Sequence, residues 1–464
     1  MKRILYTLLT AAAVLFGNYF YSNGTLEATI ETPTPISSPT LVPLPGTVVP
    51  TPVGDPTIAP APVEERDPYG EVYFSIVTPP EKYDPSIEVD QSTHRLARLP
   101  GSCIVGLIEC PEVRTVPTPF NMKDVWNDGT GIVWSPDGWY GLLVTHFEDE
   151  LSAGKTKKEL DKIQHQSPSE FNISPSTLYM FDAQTDTWSE VYRMERKFFF
   201  NPKWSPDGQW IAFTVNSSVW AFHSPQKDDG VYVIHPDGSG LKQLSGIGAS
   251  TSILGWIGNS ILLQRAQGLY PTTESSKSRM EMLTLDGETK FLFETDRLAI
   301  FTLSPDGGAI LAADAQGEFA GSPVKTVDVL ALDGSVVYTF GTFTNHTASI
   351  YPTTWSRDGS LVAFANLRRA YVGPREGQGA GFPNALIGIP PDGPVRDVYL
   401  ADDTYAPPSF SSFQFSSDNK YLLMDVYEGI PHFVVVALET GQSAVVTMKG
   451  MTDLEQAYSF SWRP

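Results

Sequence analysis

Seven histidines are the first residues to test for chemistry, and none pairs with another. They stand at His94, His146, His165, His223, His235, His346 and His432, with no HExxH, HxH or other short spacing that would set two imidazoles on one metal ion. Each is read as an ordinary surface or hairpin residue. No GxSxG occurs to lift a nucleophilic serine onto a strand-to-helix turn. Acidic residues do recur: Asp137, Asp207, Asp306 and Asp358 each precede a glycine, Gly138, Gly208, Gly307 and Gly359. Repeated carboxylates suggest calcium, but these lie far apart in the chain and no DxDxDG loop is present, so turn formation explains them. The pairs Asp228 with Asp229 and Asp402 with Asp403 read as solvated charge in hairpin loops. No catalytic residue, metal ligand or cofactor site is expected.

The aspartates belong to a repeat that fixes their setting. WSPDG stands at 134–138 and 204–208, with LSPDG at 303–307 and WSRDG at 355–359. Proline presets φ at the second turn position, glycine takes the left-handed one, and the serine hydroxyl reaches the turn backbone. After each copy comes a short apolar run, WYGLLVT, QWIAFTV, GAILAAD and SLVAFAN. These runs are apolar at successive positions, which suits strands covered on both faces. GWIGNSILLQ at 255–264 and FSSDNKYLLM at 415–424 are weaker copies, and a second turn series follows, as in VYVIHPDGSG at 231–240. The pattern predicts an all-β fold, a β-propeller of four-stranded blades.

The residues before the turns, Trp134, Trp204, Trp256, Leu303, Trp355, Phe415 and Trp462, mark the phase of the repeat and bound six complete blades. Trp462 begins another blade in YSFSWRP at 458–464, and its missing strands are sought in RDPYGEVYFSIVT at 66–78 and in 93–116. Joining these segments gives seven blades closed by N- and C-terminal strands. The alternative is six blades, with an irregular lead-in and a capping strand. The WSPDG turn, the IAF-like strand and the later DG turn resemble the TolB-type, WD40-like propellers of extracytoplasmic bacterial proteins. Such repeats also occur in the N-terminal halves of tricorn-type and prolyl-oligopeptidase-type proteases. The resemblance covers the chain from about 116 onward and implies the fold rather than an activity. The hydrolase domain of the protease relatives is not expected, because its GxSxG is missing and no further stretch follows Pro464.

Lys2 and Arg3 precede an apolar stretch from Ile4 to Phe20, so residues 1–24 read as a cleaved signal peptide or an N-terminal membrane anchor. Residues 25–65, rich in threonine and proline, read as a disordered stalk or linker, and 66–464 as the propeller domain. The protein is therefore expected outside the cytoplasm, secreted or anchored in the cell envelope. Cys103 and Cys110 are its only cysteines. They suit a small disulfide-closed hairpin, with two buried thiols or a metal pair as alternatives, the latter lacking nearby partner ligands. A net charge of -21 argues against nucleic acid, which needs a basic stripe.

Three insertions interrupt the repeat, at 147–171, 262–280 and 365–384. The first contains a helical stretch, the second has no motif, and the third is a glycine-rich loop carrying Arg368, Arg369 and Arg375. On an acidic chain these arginines are the candidate contact for an anion or partner, or else solvated loop charges. The expected function is non-enzymatic binding of a protein or cell-envelope component. The alternative is a lyase or hydrolase acting on an extracellular glycan or small ester at the channel mouth.

Overall fold

In the computed structural model each SPDG turn closes with one repeated set of hydrogen bonds. In the second copy Gly208 N donates to Ser205 O at 2.9 Å and the Ser205 hydroxyl donates to Asp207 Oδ1 at 2.6 Å. Asp207 Oδ1 also accepts from Gln209 N at 3.0 Å, and Trp210 N donates to Ser205 Oγ at 2.9 Å. The same contacts recur around Ser135, Ser304, Ser356 and Ser416. Gly208 has φ 68°, and in the worn fifth copy Asn419 takes φ 56°, a conformation asparagine tolerates. The structure describes residues 67–463 apart from 81–91, 121, 123–124, 126–130, 147–174, 196, 218–226, 247–249, 268–276, 297–298, 315–323, 345–352, 372–378, 389–395, 401–408, 428–430, 447 and 453–454. The segments read as signal or anchor and as stalk lie outside these residues. Among the described residues no helix is long and apolar enough to cross a membrane.

Three strands open the domain: β1 (Glu71–Thr78), β2 (Thr93–Pro100) and β3 (Arg114–Val116). Six sheets of consecutive antiparallel strands follow. The first holds β4 (Val133–Trp134), β5 (Tyr140–His146), β6 (Ser176–Asp182) and β7 (Thr187–Met194). The second holds β8 (Phe198–Trp204), β9 (Ile211–Asn216), β10 (Gly230–Ile234) and β11 (Lys242–Gly246). The third holds β12 (Ser250–Ile257), β13 (Ser260–Gln267), β14 (Lys277–Thr284) and β15 (Thr289–Thr295). The fourth holds β16 (Ala299–Leu303), β17 (Ala309–Asp314), β18 (Val324–Ala331) and β19 (Val336–Thr344). The fifth holds β20 (Thr353–Trp355), β21 (Val362–Tyr371), β22 (Gly379–Gly388) and β23 (Arg396–Leu400). The sixth holds β24 (Ser409–Phe415), β25 (Tyr421–Tyr427), β26 (Pro431–Ala437) and β27 (Ser443–Val445). The remaining four-stranded sheet is composite, in the order β28 (Gln456–Arg463), β1, β2, β3. Its register sets Trp462 against Val72, as Trp204 is set against Ile211 within the second sheet.

An apolar cluster fills the seam between each sheet and the next. Ile211, Phe213 and Val215 pack toward β5 and β6, whereas Ala212 between them packs toward β12 and β13. This two-sided covering is why the strand after each turn is apolar at every position. Corresponding clusters join the third sheet to the fourth, the fourth to the fifth and the fifth to the sixth. The composite sheet packs on both its neighbours, through Phe74, Phe460 and Phe433 on one side and Tyr73, Leu143 and Phe181 on the other. The sheets thus form a closed ring. Strands β8, β12, β16, β20 and β24 touch one another in succession and, with β4 and β28, line the inside.

The tryptophan of the repeat has a task that the turn alone does not explain. Trp204 Nε1 donates to Val133 O at 3.0 Å, Trp256 Nε1 to Lys203 O at 3.1 Å, and Trp355 Nε1 to Thr302 O at 3.3 Å. Each acceptor is the residue just before the phase marker of the preceding sheet. The indole therefore fills the seam with its body and latches it with its N–H. Trp462 departs from this pattern and donates to Tyr69 O at 2.6 Å, tying β28 to the segment that enters β1.

Cys103 and Cys110 are joined in a disulfide with Cα atoms 4.8 Å apart. The expected hairpin is absent: Cys103 lies in a single helical turn, α1 (Gly101–Ile104), where Val105 N bonds Gly101 O instead of a cross-strand partner. Beyond the bridge Val113 N donates to Lys449 O at 3.0 Å, and Glu109 forms an ion pair with Lys449. The bridged loop is a strap from the composite sheet to the segment after β27.

Candidate binding face

All SPDG turns, and the turns between third and fourth strands, lie at one end of the ring. The connections between second and third strands emerge at the other. The three insertions noted in the sequence are all of this second kind, leaving β5, β13 and β21 and returning to β6, β14 and β22. The fold thus brings to one end segments more than a hundred residues apart. The helical stretch expected within 147–171 lies outside the described residues, as do His165, His223, His346, Arg375, Asp402 and Asp403.

The third insertion is not simply a loop. Strands β21 and β22 pair in unbroken register from Val362 with Gly388 to Tyr371 with Gly379, while β20 reaches only to Phe364 and β23 begins at Asn384. Leu367–Tyr371 and Gly379–Pro383 therefore form a two-stranded ribbon beyond the four-stranded sheet. Arg368 pairs with Phe382 and Arg369 with Gly381. Backbone pairing overrides the glycine-rich composition, because a hairpin already held in register by the sheet below extends at little further entropic cost.

Around this end the charges form internal pairs. Lys197, 7% exposed, meets Asp229 at 3.0 Å, Asp228 at 2.8 Å and Ser217 Oγ at 2.5 Å. Asp229 is itself only 2% exposed, so its reading as a solvated hairpin charge is corrected: a buried carboxylate needs a cation, and Lys197 supplies it. The hydrogen bond from Lys197 holds the more exposed Asp228 carboxyl below its ordinary range. Glu281, buried in β14, takes Arg265 Nε at 2.9 Å and Arg279 Nε at 2.5 Å. Arg95 pairs with Glu455 at 3.1 Å, and Thr78 donates to the same carboxylate.

His146 is the second correction. It is 2% exposed, at the end of β5, with its ring 5.2 Å from that of Phe198 across the seam. Ser176 spends its own proton on Lys197 O, so at 2.6 Å His146 Nδ1 is the donor and Ser176 Oγ the acceptor. Burial pushes its pKa down to about 4. A serine whose proton is committed to a backbone carbonyl is not an activated nucleophile, so this pair sews two sheets together. Neither His146 nor the Lys197 pairings had a signal in the sequence, since both depend on partners about 30 residues away.

The end bearing the SPDG turns holds a second cluster. Arg98 meets Glu71 at 3.4 Å and Asp186 at 2.9 Å, Arg463 meets Glu71 at 2.7 Å, and Arg98 donates to the Tyr73 hydroxyl at 3.1 Å. Burial, with the Glu71 charge beside it, pushes the Tyr73 hydroxyl up to about 12. These contacts bind the composite sheet to the turn after β6. Among the turn carboxylates, hydrogen bonds from Ser205 and Ser304 hold Asp207 and Asp306 below the usual range. Each is used within its own turn. Among the described residues no group of three or more metal-ligating side chains occurs.

No family model matches the sequence, and no curated protein matches it. Solved structures do resemble the fold. TolB from Acinetobacter baumannii is 15% identical, with 86% of this chain and 67% of that one covered and a TM-score of 0.43. The acylaminoacyl peptidase of Pyrococcus horikoshii is 13% identical over 81% of this chain, at a TM-score of 0.48, and the match spans half of the peptidase. The β-propeller domain of the Trilobed protease from Pyrococcus furiosus is 12% identical, with 67% of this chain and 82% of that one covered and a TM-score of 0.40. The propeller itself rests on the strand order and seam packing described above.

Proposed function

We propose that the chain is a binding propeller that works outside the cytoplasm and presents its insertion-bearing end to a protein or envelope component. The observation that carries this reading is the ribbon of β21 and β22, which extends five residue pairs beyond its sheet at the end where the other insertions emerge. A projecting ribbon on a rigid ring offers backbone and side chains to a partner without disturbing the core. The apolar stretch from Ile4 to Phe20 and the Cys103–Cys110 bridge support an exported protein. Arg368 and Arg369 are the proposed contacts on the ribbon; Arg375 lies outside the described residues.

The test is capture from native envelope extract by the full chain, run beside Arg368→Ala/Arg369→Ala and a variant joining Leu367 to Pro383 through Asn-Gly. The expected result is one component retained in constant ratio and lost at least tenfold in both variants. Their melting should stay unchanged, because the ribbon lies outside the four-stranded sheet. Undiminished capture by both variants removes this end from the proposal. Empty capture, together with turnover of an extracellular glycan or ester, replaces binding with the enzyme alternative.

A further inference from the structure

Arg357 departs from the repeat that places it. It stands in the turn of the fifth sheet where Pro136, Pro206 and Pro305 stand in other copies, so this turn forgoes the preset φ of proline. The turn closes all the same: Gly359 N donates to Ser356 O at 2.9 Å, and Asp358 Oδ1 accepts from the Ser356 hydroxyl at 2.7 Å and from Ser360 N at 2.9 Å. The arginine side chain leaves its own sheet. Its Nη2 donates to Pro136 O at 3.3 Å, in the turn of the first sheet. The sixth and composite sheets separate the fifth from the first on one side of the ring, and the second, third and fourth on the other. The contact therefore crosses the mouth of the central channel. Arg357 N also donates to Asn419 Oδ1 at 3.0 Å, which anchors the backbone beneath the guanidinium to the sixth sheet.

Charge sets the same residue apart. The chain has 53 acidic residues, and every other arginine whose side chain is described pairs with a carboxylate, from Arg95 with Glu455 to Arg463 with Glu71. Arg357 is exposed and, among the described residues, its guanidinium bonds only Pro136 O. Asp137, Asp358 and Asp418, adjacent in sequence to the residues of these contacts, accept hydrogen bonds within their own turns.

We propose that Arg357 makes this mouth of the channel a binding site for a single carboxylate group, borne by a free organic acid or by the C-terminus of an extended peptide. A guanidinium has more donors than the one contact with Pro136 uses. At 3.3 Å that bond lies beyond the usual N–H···O range, so the shorter, charge-assisted bonds of a carboxylate displace it. A planar carboxylate also matches the guanidinium fork. The turn aspartates select a monoanion, because their charges repel a phosphate dianion more strongly than a carboxylate. This site lies at the end of the ring opposite the insertions and leaves the ribbon of β21 and β22 free.

The experiment is NMR of the full chain in mild detergent, isotopically labelled on arginine nitrogen, with the Arg357 Nε–Hε signal identified by its loss in Arg357→Pro and Arg357→Gln. The proline is what other copies of the turn hold and the glutamine keeps the N–H to Asn419, so both variants are expected to fold, and circular dichroism checks it. The probes are acetate, triglycine, triglycine amide and inorganic phosphate. Acetate and triglycine should move the Arg357 signal saturably, at a concentration at least tenfold lower than moves Arg114, which is 63% exposed but paired with Asp186. Tighter binding of triglycine than of acetate assigns the group to a peptide terminus, and equal binding assigns it to a free acid. An Arg357 signal that moves no earlier than that of Arg114 overturns the proposal. So does an equal response to triglycine amide, or a tighter response to phosphate than to either carboxylate.

Discussion

His146 makes stability depend on pH in a window of its own. Its pKa is about 4 in the folded chain against 6.5 when exposed, so between these values the unfolded chain binds more protons than the folded one. Stability therefore rises with pH across that window: the contribution is intact above 6.5 and lost as pH falls toward 4. The interval, at about 1.4 kcal/mol per pH unit, amounts to about 3 kcal/mol. The turn and rim carboxylates behave differently. Asp207, Asp306 and Glu455 have lowered pKa values, so their contributions are lost only below the ordinary carboxylate range. Urea unfolding measured at half-unit steps from pH 7.5 to about 4 isolates the histidine. His146→Asn keeps a neutral donor toward Ser176 and cannot take the charge. Wild type should lose about 3 kcal/mol across the window and the variant almost none, with the two curves converging toward the acid end. Parallel curves would refute the buried, neutral imidazole and the seam packing around it.

Other seams can be probed in the same way. Trp204→Phe keeps the ring body but leaves Val133 O without its indole donor, and should cost about 1–3 kcal/mol by urea unfolding. Trp355→Phe, which loses a longer bond of 3.3 Å, should cost less. Removal of 458–464 takes away buried Phe460 and Trp462 and uncovers β1, for a loss of more than about 6 kcal/mol seen as a collapsed thermal transition. Cys103→Ser/Cys110→Ser opens a short loop and should cost about 2.5 kcal/mol. An equal drop is expected when wild type is unfolded under reducing conditions.

Much of the fold was legible because turn chemistry is local. Ser-Pro-Asp-Gly satisfies its hydrogen bonds within a few residues, so its recurrence reports hairpins wherever it stands, and unbroken apolar runs such as IAFTV report strands covered on both faces. The phase of Trp462 likewise announced a strand that needed partners from the front of the domain. The candidate site was much less legible. That the three insertions share one end follows only once the sheets are arranged around the ring. The ribbon carrying Arg368 and Arg369 was hidden by its glycines, since its register is imposed by the sheet beneath it. The burial of Asp229 and His146 depends on Lys197 and Ser176, partners distant in sequence, and composition carries no trace of such pairings. Local hydrogen bonds thus specified the turns and strands from sequence, whereas burial and ion pairing exist only where distant segments meet, and these the tertiary structure alone decided.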